Sequence, residues 1–253
     1  MAKRFLSILL VTTLALGGAA VSSIALAGTA SATTTPVANY VTHLYQSLLN
    51  RTPGTGELQG WDAILTAGPP FASANGSAAT MLAVTTDFVT SSEYLSDVVS
   101  ADYTTYLHRS PDAGGLATWT GALEAGVTEQ SVEEQLLASS EYYSSRGTSN
   151  FDTWLTAVYS DVLNRTVDPG GRTTWDAAHT AGATDLAIAT SIVTSPEAQS
   201  DVVAGLYTTL LNRPATASDL TYWTAQIQAG TTHQKIVALI TSSPEYYADS
   251  QLA

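Results

Sequence analysis

Four arginines, Arg51, Arg109, Arg165 and Arg213, stand in one recurring frame of residues. A tyrosine lies six positions before each (Tyr45, Tyr103, Tyr159, Tyr207), and a tryptophan lies ten positions after (Trp61, Trp119, Trp175, Trp223). Seven residues beyond each tryptophan comes a glycine: Gly68, Gly126, Gly182 and Gly230. Fifteen residues beyond the last three glycines comes a glutamate: Glu141, Glu197 and Glu245. In the first frame the glutamate is Glu93 and the gap is 25, with an apparent loop insertion around residues 69–76. Such a chain is an array of one supersecondary unit, each copy burying its apolar side on a neighbour. The arginine-to-arginine steps of 58, 56 and 48 place the variation in loops and exclude a strict solenoid.

Each unit reads as helical. In copy one Val37, Tyr40, Val41, Leu44, Tyr45 and Leu48 recur at helical spacing, and Val202, Val203, Leu206, Tyr207, Leu210 and Leu211 do so in copy four. Asn50, His108, Asn164 and Asn212 precede the arginines, where asparagine tolerates a left-handed cap and a cation suits the negative helix end. A short second helix carries the tryptophan and stops at Ala-Gly. Thr128, Thr184 and Thr232 then supply N-caps for a third. Ser195-Pro196-Glu197 and Ser243-Pro244-Glu245 have the order of a new helix start. Nothing interrupts residues 92–108, so that helix is expected to run unbroken into copy two. Residues 144–150 break the equivalent continuity and are the expected hinge or domain seam. No strand alternation occurs. The expected fold is all-α: four tandem repeats of about three helices each, after a cleaved signal peptide.

The export signal is Lys3 and Arg4, then an apolar stretch, then Ala30-Ser31-Ala32, with cleavage expected before Thr33. Ala25-Leu26-Ala27 is a second candidate cleavage site. An uncleaved anchor over residues 5–27 is the competing reading, ranked lower because its later half is rich in Gly, Ala and Ser. The boundaries are 1–32 signal peptide, 33–36 disordered spacer, 37–96, 97–148, 149–199 and 200–253 for the four repeats. The chain is thus expected to be secreted and extracellular, with a place at the cell surface open, and free of membrane once cleaved.

A net charge of −13, from 22 acids against 9 bases, argues against phosphate-driven binding of nucleic acid and against an electrostatic membrane binder. The absence of cysteine excludes disulfides, thiol catalysis and cysteine-ligated metals.

The columns resemble the bacterial family called domain of unknown function 4214. Copy two carries the pattern most fully, in Tyr103, Arg109-Ser110-Pro111-Asp112-Ala113-Gly114-Gly115-Leu116, Trp119, Ala125-Gly126 and Ser139-Ser140-Glu141-Tyr142. Copy three departs at Arg172 and Ala198, and copy four lacks the Pro-Asp-Gly turn. The likeness runs over about residues 37 to 248, and its pattern is distantly similar to phycobilisome linker domains. The resemblance implies an exported, non-catalytic protein and supplies no catalytic residue.

The arginine and glutamate columns read as internal clamps, pairing Arg51 with Glu93, Arg109 with Glu141, Arg165 with Glu197 and Arg213 with Glu245. The tryptophans read as core, with Trp154 outside the pattern. Tyr142, Tyr143, Tyr246 and Tyr247 come in pairs, one of each pair being the candidate surface for a glycan or protein partner. Calcium at the Asp112 and Asp168 turns is disfavoured because copies one and four lack that aspartate. His43, His108, His179 and His233 occupy unrelated positions and read as surface or capping residues; no metal and no cofactor is expected. The leading expectation is a secreted non-enzymatic binding or scaffolding module with an unidentified extracellular protein or glycan partner. A self-associating surface-layer or matrix component comes second. A glycan hydrolase, which needs paired carboxylates in a cleft, comes third.

Overall fold

The computed structural model describes residues 35–67 and 77–252. The expected signal peptide, the first half of the expected spacer, Gly68 and the expected insertion lie outside the described residues. Thr35 and Pro36 belong to the first helix and are not spacer: Thr35 Oγ1 accepts the Ala38 amide at 3.1 Å, and Pro36 takes the first helical position.

Among the described residues the secondary structure is helical throughout. The first seven helices are α1 (Pro36–Leu49), α2 (Thr55–Ala67), α3 (Ser77–Val89), α4 (Ser92–Asp102), α5 (Ala113–Glu124), α6 (Glu129–Leu137) and α7 (Ser140–Ser145). Then come α8 (Phe151–Leu163), α9 (Pro169–Thr180), α10 (Asp185–Val193), α11 (Pro196–Leu210), α12 (Ala217–Gln228), α13 (His233–Thr241) and α14 (Pro244–Ser250). Helix α4 continues directly into a π-helical stretch, Tyr103–Leu107, so the run through residues 92–107 is unbroken but its last turn is widened. No described helix is long and apolar enough to cross a membrane.

Local chemistry fixes the ends. Ser91, Thr128, Ser139, Thr184, Ser195, Thr232 and Ser243 each accept a backbone amide from the first turn of the helix they open. Asn50 and Asn164 close α1 and α8 in the left-handed region, at φ 49° and 51°. Gly126, Gly182 and Gly230 take φ of +94°, +91° and +97°. After each, a six-residue backbone bond closes the helix end, Val127 N to Ala122 O being the first example.

A single apolar cluster runs through the described residues, with Trp154, Tyr40, Tyr142 and Tyr246 fully buried in it. Helix α3 packs on α13, and α6 on α10. Helix α1 packs on α14, and α7 on α8. The first and last described helices therefore lie against each other, and the Gln251 side-chain amide donates to Pro36 O at 3.1 Å.

Residues 144–150, the expected hinge or seam, form a packed corner. Arg146 Nη2 lies 2.7 Å from Asp161 Oδ1, and Thr153 Oγ1 donates to Gly147 O at 2.7 Å. The indole of Trp154 is sealed beneath and donates to Leu137 O at 2.9 Å. A Cβ on Gly147 would stand 2.6 Å from Tyr143 O and 2.7 Å from Trp154 Cβ. Gly147→Ala is therefore expected to destabilise the fold by roughly 2 kcal/mol through overpacking. Gly121→Ala, where a Cβ meets nothing within 4 Å in α5, should stabilise it by about 0.5–1 kcal/mol. Thermal or urea denaturation of the two variants checks the contrast.

Candidate functional site

The recurring side chains meet in four clusters at helix ends. In each, the guanidinium lies over the ring of the tyrosine one and a half turns earlier. The distances to the ring centre are 4.6 Å for Arg51 on Tyr45, 5.1 Å for Arg109 on Tyr103, 5.0 Å for Arg165 on Tyr159 and 4.8 Å for Arg213 on Tyr207. The same guanidinium forks onto the glutamate that opens a later helix. Arg51 Nε is 2.5 Å from Glu93 Oε1, Arg109 Nε 2.5 Å from Glu141 Oε1, and Arg165 Nε 2.6 Å from Glu197 Oε1. Arg213 makes the same two-pronged contact with Glu245, its Nη2 being 3.0 Å from Oε2. Each arginine also donates to the carbonyl of the next residue, as Arg109 does to Ser110 O at 3.0 Å. The result ties the end of one helix, the turn after it and the start of another to one planar cation.

Tryptophan joins from below. Trp61, Trp175 and Trp223 donate their indole N–H to Tyr45, Tyr159 and Tyr207 Oη at 3.1, 2.7 and 2.9 Å. The π-helical stretch alters the second cluster, and no such bond joins Trp119 to Tyr103. All four indoles are half-buried and packed against the core.

Sequence columns missed a second acid at every arginine. Asp112 Oδ2 lies 3.9 Å and Asp168 Oδ2 3.2 Å from their arginines, three residues back. In the other two clusters the acid comes six residues on: Glu57 at 2.8 Å from Arg51, and Asp219 at 3.1 Å from Arg213. Helix capping explains the two offsets. Asp112 and Asp168 are N-caps whose carboxylates accept the Gly115 and Gly171 amides at 2.9 Å. Glu57 and Asp219 sit at the third helical position and reach back to the Gly54 and Thr216 amides at 2.7 and 2.9 Å. Where the acid is the cap, the sixth position is glycine, and at Gly171 a Cβ would stand 2.9 Å from Tyr159 Oη. The signal was therefore present as an exchange of residue types between two positions, invisible to a search for one column. Asp112 and Asp168 are thus engaged by backbone and arginine, and no described group of three His, Cys, Asp or Glu residues could hold a metal.

These contacts hold the carboxylates ionised. Hydrogen bonding from Arg51 brings Glu57 down to about 2 and lowers Glu93. Hydrogen bonding from the matching arginine lowers Glu141, Glu197 and Glu245. Burial pushes Asp219 up, but the Thr216 and Arg213 hydrogen bonds outweigh it and leave it at about 2.

Tyr142 and Tyr246 are the buried members of the two candidate pairs and so offer no partner surface themselves. Both rings are fully buried: Tyr142 donates to Asp161 Oδ2 at 2.8 Å, and Tyr246 hydrogen-bonds Ser47. The first turn of a short helix points them into the core beneath a neighbouring helix. Tyr143 and Tyr247 are half-buried. Of the histidines, His108 is an exposed left-handed cap and His179 stacks on Phe151 at 3.9 Å. His43 is half-buried against Tyr246, and His233 approaches Glu129 at 3.9 Å.

One cleft of about 250 Å³ opens between α3, the α5–α6 turn and α13. Leu95, Leu123, Thr128, Thr232 and Gln234 line it, with Glu124 its one ionisable lining group. A neighbouring hollow shares Thr128 and Thr232.

The model of the family described as domain of unknown function (DUF4214) matches residues 198–249. That stretch is similar to the family. The matched segment begins just past Glu197 and contains one complete cluster: Tyr207, Arg213, Asp219, Trp223 and Glu245. No curated protein and no solved structure matches the chain.

The lowered carboxylates set an acid limit. Their contribution is full above the unfolded value near 4.5 and is lost as pH falls toward about 2. Thermal scans across that window should show a steep loss of stability. Arg213→Met should cost about 1 kcal/mol at neutral pH, the pair being part-exposed and solvent-screened, and should flatten the acid slope. An unchanged slope would remove Arg213 from the account.

Proposed function

We propose that this chain is a secreted, non-catalytic array of four helical units that serves as an extracellular binding or scaffolding module. The observation that carries the reading is where the recurring chemistry goes. In all four clusters the cation, the two acids and the tyrosine engage one another. Groups that recur in every unit and face each other hold helices together. What differs between units, and so can recognise something, is the rest of the surface, including the cleft beside Glu124.

An acidic, cysteine-free chain with an amino-terminal export pattern fits an extracellular setting. The partner class is an extracellular protein or glycan, and no cofactor enters the reading.

Binding of the chain without residues 1–32 to a glycan array, with light scattering of the same sample, tests the proposal. Saturable binding to a glycan or a discrete assembly is the expected result. Release of reducing ends from a bound glycan, abolished by Glu124→Gln, would replace the binding reading with an enzyme.

A further inference from the structure

The first and last described helices meet through contacts that have close counterparts in the middle of the chain. A shift of 114 residues carries Arg51 to Arg165, and a shift of 104 carries Arg109 to Arg213. The first shift takes Tyr40 to Trp154 and Ser47 to Asp161. The second takes Leu137 to Thr241 and Tyr142 to Tyr246. Tyr40 Oη donates to Thr241 O at 2.9 Å, and its counterpart Trp154 Nε1 donates to Leu137 O at 2.9 Å. Tyr246 hydrogen-bonds Ser47, and its counterpart Tyr142 donates to Asp161. The pairing of α3 with α13 is likewise the counterpart of α10 with α6, and α14 with α1 that of α7 with α8. The described residues before 147 thus give residues 150–252 contacts that closely match those they receive. This is the relation of two subunits across a two-fold axis, here joined in one chain.

The join is strained. Thr148 and Ser149 are consecutive non-glycine residues at φ 49° and 57°, each a conformation that costs free energy. Short connections under strain favour exchange of elements between copies. The opposite seam, α14 on α1, has no covalent link. The Asp161 partner of Arg146 is replaced there by Ser47, so neutral hydrogen bonds hold it.

We propose that the surface between the halves also accepts a second copy of this chain, the first half of one copy pairing with the second half of the other. Extension of residues 146–150 relieves the strained pair, and every buried contact between halves is re-formed between copies. A second copy is the partner because it presents the same Tyr40, Thr241, Tyr246 and Ser47 contacts that the chain already makes with itself. This inference stands on the fold's own interface and is independent of the ligand reading above.

Absence of cysteine makes the test direct. Pro36→Cys and Gln251→Cys single variants of the full chain are mixed, taken through mild denaturation at high concentration, refolded and oxidised. A disulfide between the two substituted positions, joining different copies in a dimer with native helicity, is expected. Ser149→Pro, which cannot adopt the left-handed corner, should raise the exchanged fraction about tenfold. Thr148→Gly with Ser149→Gly, which relaxes the corner in place, should lower it. A refolded mixture with monomers alone, or dimers without that disulfide, overturns the proposal. Should the proline variant fail to fold, an unchanged exchanged fraction in the double-glycine variant overturns it equally.

Discussion

A guanidinium held between two carboxylates on the face of a tyrosine is the interaction on which this architecture depends. Helix ends are the weak points of an all-helical chain, because their last carbonyls and first amides lack partners within the helix. Here one arginine addresses three such ends together. It leaves a left-handed cap, covers the tyrosine below, donates to the capping acid of the next helix and forks onto the glutamate of a later one. The separate helices of each unit are short, α6, α10 and α13 having nine residues. Helices of that length do not persist alone in water. They persist because both termini are pinned and one face is buried.

Each pair is part-exposed, so the clusters act more through geometry than through raw energy. A planar fork sets the angle at which helices leave one another, and in three of the four clusters the tryptophan indole hydrogen-bonds the tyrosine hydroxyl. With those angles set, the apolar faces of α3 and α13, and of α6 and α10, meet in one core. The packing then closes the chain on itself, where an open array would leave two bare end faces. Closure buries Tyr40 and Tyr246, side chains that a linear array would leave uncovered.

The clusters also explain why the chain's acidity does not describe a binding surface by itself. Eight of the acids sit on arginines as capping or opening residues. Their charge is matched locally. Any specificity must come from the parts that vary between units: the cleft beside Glu124, and the exposed Tyr222 set edge-on to Trp223 at 4.9 Å.

The sequence by itself determined what depends on neighbours three to six residues apart. Apolar periodicity wrote the helices, Thr-x-x and Ser-Pro-Glu steps wrote their starts, and Asn-Arg and Ala-Gly wrote their stops. Such signals are local hydrogen bonds and backbone preferences, so they survive in one dimension. The second acid of each cluster was half legible, since one spatial position is reached from two sequence offsets. Only the tertiary structure decided which amphipathic faces pair, and with that the burial of Tyr142 and Tyr246, the role of Trp154 and the packed corner at residues 146–150. Several third helices carry similar apolar stripes, and composition cannot rank one match above another. Chain connectivity and the angles imposed at the helix ends choose among them.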